Sequence, residues 1–188
     1  ASIIIWTTTP WTIPANKALA FNAALEYSLI SINELENFND KKIVVASDLL
    51  KNVLDECNIK NYEILKTFKG SEFLGTTCTH PFEKMNFSYD VPMLEANFVN
   101  LEQGTGIVHC APSHGPDDFN LCLKNNIPSL YTVDDSGYYT NEIPFFSKTH
   151  IFKADSLVIE KLKEHKKILK DDKLNHSYPH SWRSKAPL

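Results

Sequence analysis

The chain has 188 residues, of which 43% are hydrophobic and 22% charged, and a formal charge of −4. Its 11% aromatic content excludes an intrinsically disordered chain, and its six glycines exclude a collagen-like fibre. The negative balance excludes a surface coated throughout for nucleic acid and leaves room only for a local basic patch.

A chain of this length buries roughly 70% of its unfolded surface and needs no covalent staple. Cys57, Cys78, Cys110 and Cys122 form no CxxC pair and read as free thiols of a reducing compartment. No run reaches ~18 consecutive apolar residues, and no charged-then-apolar leader is present. The opening Ala1-Ser2-Ile3-Ile4-Ile5-Trp6 and the closing Lys185-Ala186-Pro187-Leu188 both read as cuts through a longer protein.

In chain order, residues 2–9 are β-branched and apolar and predict a strand. Pro10 and Pro14 then bracket Trp11-Thr12-Ile13 and forbid a helix there. Tyr27–Ile32 and Lys42–Ala46 predict two strands around a polar turn. Ser47 predicts the cap of a helix over Asp48–Cys57 with Leu49, Leu50, Val53 and Leu54 on one face. Tyr62–Phe68 returns as a strand, and residues 70–97 are short apolar pieces cut by Gly75, Pro81 and Pro92. Phe98–Leu101 and Gly106–Cys110 predict a strand pair. Gly115-Pro116-Asp117-Asp118 is a strong helix start, with Pro in the first turn and acids at the positive end of the dipole; that helix should run to about Lys124. Ser129–Val133 predicts a strand, residues 134–137 a turn, and Asp155 or a neighbour a helix to about Lys167. The tail from Ile168 reads as irregular or extended. One domain over residues 1–188 is expected: a compact, β-barrel-like α/β core of mixed, mainly antiparallel strands with about three short helices.

Two segments carry chemistry. Thr7-Thr8-Thr9-Pro10-Trp11-Thr12 puts four hydroxyls within six residues, able to bond a ribose, an ester carbonyl or a water. The same threonines also suit a plain strand, and alternation would send Thr8 to the face opposite Thr7 and Thr9. In Gly104-Thr105-Gly106-Ile107-Val108-His109-Cys110-Ala111-Pro112-Ser113-His114-Gly115-Pro116-Asp117-Asp118, a strand end, a loop and a helix N-terminus converge. A carboxylate there can bind an ammonium group or merely stabilise the helix dipole. A metal site drawn from His109, His114 and the aspartates lacks HExxH or CxxC spacing. Ser113 lacks a nucleophile elbow. The basic run Lys161-Leu162-Lys163-Glu164-His165-Lys166-Lys167, with Lys170, Lys173, Arg183 and Lys185, fits a phosphate backbone or a solvated helix face.

Together these motifs resemble the editing domain of isoleucyl-tRNA synthetase, bacterial type. Trp6-Thr7-Thr8-Thr9-Pro10-Trp11-Thr12-Ile13-Pro14-Ala15-Asn16 is similar to its threonine-rich segment. Gly104 through His109, with His114-Gly115-Pro116-Asp117-Asp118, is similar to its second signature. His176-Ser177-Tyr178-Pro179-His180 through Trp182-Arg183 resembles its exit segment. The valyl and leucyl relatives have a Thr-Thr-Arg-Pro type strand and lack the His-Gly-Pro-Asp-Asp run. Ser113, Cys110 and Lys17 depart from the family's frequent Gly, Thr and Arg.

The resemblance implies the class I editing-domain fold and hydrolysis of valine mischarged onto tRNA(Ile), and also of valyl-adenylate, with the isoleucyl product excluded. It implies that Asp118 holds the substrate ammonium and that His109 lines the side-chain pocket. Thr7, Thr8, Thr9 and Thr12 would bind the terminal adenosine, the ester and the attacking water, with Trp11 and Asn16 on the adenosine side. It implies no cofactor or metal for this reaction, ATP, Mg and Zn belonging to the rest of the enzyme. The implied partners are the charged 3′ end of tRNA(Ile) and the remainder of the same chain, in a cytoplasmic monomer without membrane contact. Two other readings stand beside it: a non-catalytic tRNA-docking module and a metal-dependent hydrolase.

Overall fold

The computed structural model describes residues 1–33, 35–172 and 182–183. Most of the exit-segment motif, with Lys173 and Lys185, lies outside the described residues. Among the described residues, eight strands form two four-stranded sheets. In the first, β1 (Ser2–Ile3), β4 (Lys42–Ala46), β3 (Glu26–Ile32) and β5 (Tyr62–Lys69) lie in that order. In the second the order is β6 (Thr77–Thr79), β7 (Asp90–Glu95), β2 (Ala18–Phe21) and β8 (Ile107–Cys110). The pairs β1–β4 and β2–β7 are parallel; β3–β4, β3–β5, β6–β7 and β2–β8 are antiparallel. The mixed, mainly antiparallel architecture is as expected, but the barrel is not: β1 and β5 remain edges of one sheet, and β6 and β8 of the other.

Period-2 alternation explains how the layers stack. Tyr27, Val44 and Ala46 point inward from the first sheet and meet Leu19, Phe21, Val91, Met93 and Ile107 of the second. On the outer side of the first sheet, Ile30, Ile32, Ile43 and Val45 pack on Leu50, Val53 and Leu54 of α1 (Leu50–Glu56). On the outer side of the second, Ala18, Ala20 and Cys110 pack on Leu121 and Cys122 of α2 (Pro116–Lys124). The third helix, α3 (Ile151–Glu164), lays Ala154, Val158 and Leu162 against Ile13, Phe82, Tyr139 and Phe146. Its cap is His150, whose Nδ1 accepts from the Phe152 N–H. The four cysteines are free thiols, with Cys110 and Cys122 buried. No helix among the described residues is long and apolar enough to cross a membrane.

Several local expectations are corrected. The first strand stops at Ile3, and Pro10–Ala15 forms a 3₁₀ helix in spite of its two prolines. Pro10 occupies the first turn, where its missing N–H is not needed. Residues 98–101 form no strand; the partner of β8 is β2, in antiparallel register from Ala18↔Cys110 to Phe21↔Ile107. Residues 129–133 contribute only an isolated bridge at Val133. Ser47 opens a 3₁₀ turn, and its hydroxyl bonds Ser28 at 2.8 Å instead of capping α1.

The turn before β8 sets where that strand begins. Ala46 N–H donates to the Thr105 carbonyl at 2.9 Å, and Tyr27 O–H to the Gly106 carbonyl at 2.8 Å. Gly106 has φ +73°, and a Cβ there would stand 2.4 Å from Ala46 Cβ. Gly106→Ala combines left-handed strain with overpacking, so it should cost about 3 kcal/mol and lower Tm by roughly 10 °C in thermal unfolding. A change under about 3 °C would show that the sheet junction yields freely.

Candidate active site

Three pieces of chain meet at one hollow of about 250 Å³: residues 6–12, the end of β8, and the first turn of α2. Its walls include Thr7, Thr8, Thr9, Thr12, His109 and Asp118. The expected alternation fails, because these threonines follow β1 on irregular backbone that bends into the 3₁₀ helix. Thr9 N–H donates to Thr7 Oγ1 at 3.0 Å, and Thr12 N–H to the Thr9 carbonyl at 2.9 Å. This bend brings Thr8 to the same hollow as Thr7 and Thr9.

On β8, Ile107 faces the inter-sheet core and Cys110 the α2 side, so His109 falls on the side of Ile107. Thr12 Oγ1 lies 2.8 Å from His109 Nε2, and Asn16 Nδ2 lies 3.0 Å from His109 Nδ1. Burial, with His114 nearby, depresses the His109 pKa to about 4, so the ring is neutral at pH 7. His114 is also held below its ordinary value by burial; its Nε2 lies 2.9 Å from Thr132 Oγ1.

The adjacent acids of α2 separate. Asp118 faces the hollow, whereas Asp117 lines a wider groove of about 860 Å³ between α2 and the β6–β7 hairpin. Asp118 Oδ2 accepts the Ala111 N–H at 2.9 Å, which ties the helix start to the end of β8. Burial pushes the Asp118 carboxyl up, opposed by the Ala111 N–H and reinforced by the charge of Asp117. No ion pair to Asp118 occurs among the described residues. The hollow therefore has a neutral, hydroxyl-rich wall and one carboxylate able to receive a cation.

Trp11 and Asn16 stand behind the lining instead of in it. Trp11 packs edge-on to His114 with centroids 4.7 Å apart, and its N–H donates to Asp155 at 2.9 Å. Its carbonyl accepts the Tyr139 hydroxyl. Asn16 is buried behind His109. Trp6, Val108, Ala111 and His114 complete the walls, beyond those named from sequence. Trp6, Val108 and His114 lie within the motifs quoted from the sequence but were given no role there in the site, His114 being weighed only as a metal candidate. Among the described residues, no group of three His, Cys, Asp or Glu side chains is placed to hold a metal ion. Lysines of the basic run face carboxylates: Lys161 bonds Glu164 at 2.7 Å, Lys163 bonds Asp171 at 2.9 Å, and Lys167 bonds Asp40 at 2.9 Å. Such exposed pairs, worth about 0–1 kcal/mol, neutralise that face without fixing it.

Residues 5–172 match the family model described as leucyl-tRNA synthetase, editing domain. The chain belongs to this family of class I synthetase editing domains. It is 63% identical over 186 residues to an isoleucine–tRNA ligase of Pelagibacter ubique, covering 99% of this chain and 21% of that one. It is 43% identical over 188 residues to that of Francisella tularensis, covering all of this chain and 19% of that one. The chain thus spans about a fifth of the length of these curated relatives. Their names agree with the motif resemblance to the isoleucyl rather than the leucyl branch. Among solved structures, GlLeuRS-CP1 aligns over 91% of this chain and 84% of its own, with TM-score 0.68 and 15% identity. The P. knowlesi cytosolic leucyl-tRNA synthetase editing domain aligns over 88% and 82%, with TM-score 0.63 and 12% identity. At these identities the likeness concerns the fold, and it is the fold of two sheets with few helices described above.

Proposed function

We propose that this chain hydrolyses the ester joining valine to the 3′ end of tRNA(Ile), together with valyl-adenylate, and spares the isoleucyl ester. The observation that carries the reading is one small hollow lined together by threonine hydroxyls, a neutral histidine and a carboxylate that has no ion pair among the described residues. At about 250 Å³ it lies below the ~300–1,000 Å³ usual for drug-sized ligands, a scale suited to one small aliphatic acyl group. Asp118 anchors the α-ammonium group and His109 bounds the side chain. The threonine hydroxyls hold the ribose, the ester oxygen and a water. That water adds to the ester carbonyl and the bond to the ribose oxygen breaks. One proton of the water goes to the departing ribose oxygen and the other to solvent, so that valine leaves as its carboxylate. An aminoacyl ester is already activated, so positioning and oxyanion stabilisation are sufficient.

The need for such a site is energetic. One methylene provides only about 1–3 kcal/mol of discrimination, or 10–200-fold; isoleucyl-tRNA synthetase is itself the standard illustration, and the range is not a property obtained from this hollow. A second pocket that rejects the larger group supplies the rest. This reaction uses no cofactor. ATP, Mg and Zn are assigned to the rest of a cytoplasmic, monomeric synthetase, which with the charged tRNA is the partner.

The test is deacylation of Val-tRNA(Ile) and Ile-tRNA(Ile) by the 188-residue chain, with and without EDTA. The expected result is valyl hydrolysis that EDTA does not change and isoleucyl hydrolysis at least about 10-fold slower. Binding of both tRNAs without hydrolysis would leave a docking module. Loss of hydrolysis on chelation, restored by added metal, would leave a metal-dependent hydrolase.

A further inference from the structure

Four hydrogen bonds around His109 have directions that chemistry determines. Asn16 Nδ2 lies 3.0 Å from the Ala18 carbonyl, which can only accept, so this atom is the amide nitrogen. Its second hydrogen then points to His109 Nδ1, also at 3.0 Å, and Nδ1 must accept. A neutral imidazole with a lone pair at Nδ1 carries its proton at Nε2. That N–H donates to Thr12 Oγ1 at 2.8 Å, and the Thr12 hydroxyl donates in turn to the Thr9 carbonyl at 2.9 Å. Every donor meets an acceptor in only one arrangement of protons.

We propose that Asn16 is a positioning residue that holds His109 as the neutral Nε2–H tautomer, so that the ring is a fixed wall of the hollow with no lone pair free to take a proton during hydrolysis. The inference deepens the editing reading and rests on it for the ester. For the tautomer it rests on the hydrogen bonds alone.

Asn16 is well placed for this work. It closes the 3₁₀ helix, with its N–H donating to the Ile13 carbonyl at 3.0 Å, and its carbonyl accepts the Tyr89 hydroxyl at 2.7 Å. Its backbone cannot swing without breaking both. Protonating His109 at Nδ1 would set an imidazole N–H against the Asn16 amide N–H, two donors with no acceptor between them. The ionisable groups around the ring are His114 from the loop after β8, Asp118 in the lining of the same hollow, and His80, which itself senses Lys17. His80 donates from Nε2 to the Ile13 carbonyl at 3.1 Å and is held to a pKa of about 3 by burial, so it adds no positive charge at neutral pH. A ring locked in this way presents the same edge to every substrate, which a steric boundary between valine and isoleucine requires.

The experiment is ¹⁵N NMR of the histidine rings of the 188-residue chain, with His109 assigned by its loss in His109→Gln. The expected spectrum shows His109 as the Nε2–H tautomer, unchanged between about pH 5 and 8. Asn16→Asp replaces the donor with an acceptor. It should move the proton to Nδ1, raise the titration of the ring above about 6.5, and lower the valyl-to-isoleucyl hydrolysis ratio about tenfold or more. An Nδ1–H ring in the unaltered chain, or a His109 that titrates between about pH 5 and 8, would overturn the proposal. So would a folded Asn16→Asp chain with the tautomer unchanged. If Asn16→Asp does not fold, the spectrum of the unaltered chain decides alone. The expected tautomer in a chain that fails to cleave valyl esters would overturn the editing reading and uphold the tautomer assignment. Cleavage by a chain with an Nδ1–H ring would do the reverse.

Discussion

Asp118→Asn should lower kcat/KM for valyl-ester hydrolysis by roughly 10- to 100-fold while raising the thermal stability of the chain at neutral pH. The first part follows from charge. A hydrogen bond between an ammonium group and a carboxylate contributes about 1.5–3 kcal/mol, and the amide keeps the shape of the carboxylate without its charge. Asparagine can still accept the Ala111 N–H through its carbonyl oxygen, so the link between α2 and β8 survives. Asp118→Ala would remove the charge and the link together, and is the less informative change. The second part follows from linkage. Burial raises the Asp118 carboxyl in the folded chain above its unfolded value. Between those two values the folded chain holds a proton that the unfolded chain has released. Stability is therefore greatest below the unfolded pKa and falls as pH rises through the folded one. At neutral pH the fold carries an ionised group that it stabilises poorly, and Asp118→Asn removes that cost. The Tm difference between variant and parent should be positive at pH 7 and shrink below about pH 4, where both side chains are neutral. Unaltered kinetics would remove Asp118 from the ammonium site. A lower Tm at pH 7 would show that the carboxylate is structural.

The legible parts of the fold were those where one local force acts alone. β3 and β4 are short runs rich in apolar and β-branched residues bounded by polar ones, and Tyr27–Ile32 and Lys42–Ala46 match the observed spans to within a residue. Pro116-Asp117-Asp118 marks its helix start because ring geometry and dipole agree. β2 was invisible for a physical reason. Ala18-Leu19-Ala20-Phe21 is covered on both faces, so it shows no alternation, and alanine carries no strand preference. Losing β2 also misassigned the partner of β8, because an antiparallel neighbour 90 residues away leaves no local mark. The open edges of the two sheets, which set a sandwich apart from a barrel, depend on such long-range pairings.

The site divides along the same line. Thr7, Thr8, Thr9, Thr12, His109 and Asp118 were named through the resemblance of their motifs to a known family, and the structure gathers all six at one hollow. Strand alternation alone would have turned Thr8 away from Thr7 and Thr9, and the irregular backbone from β1 into the 3₁₀ helix is what brings it to their hollow. Trp11 and Asn16, which the resemblance placed on the adenosine side, do not line this hollow and instead contact His114 and His109. Spacing shows that residues are near one another in the chain. It does not show which of them faces the hollow and which holds its neighbour in place, since that depends on β8 meeting the 3₁₀ helix across more than 90 residues of sequence.

His109→Ala should turn a selective hydrolase into an indiscriminate one. The ring is both a boundary of the hollow and the middle member of the Asn16–His109–Thr12 chain. Removing it enlarges the hollow that the ring bounds. It leaves Asn16 and Thr12 to bond water admitted from the hollow, so the stability lost should be modest, about 1–3 kcal/mol. On the editing proposal, Ile-tRNA(Ile) should then be cleaved, and the valyl-to-isoleucyl rate ratio should fall at least about tenfold, through a rise in the isoleucyl rate. His109→Gln separates bulk from chemistry. Its amide can accept from Asn16 or donate to Thr12 at similar volume, so it should keep more of the selectivity than alanine does. Were the imidazole a proton carrier instead, both variants would lose valyl hydrolysis alike and neither would gain isoleucyl hydrolysis. A steric wall predicts the opposite ordering: the smaller the side chain at position 109, the faster the isoleucyl ester is lost. Deacylation time courses of the two charged tRNAs, measured with each variant, distinguish these patterns directly.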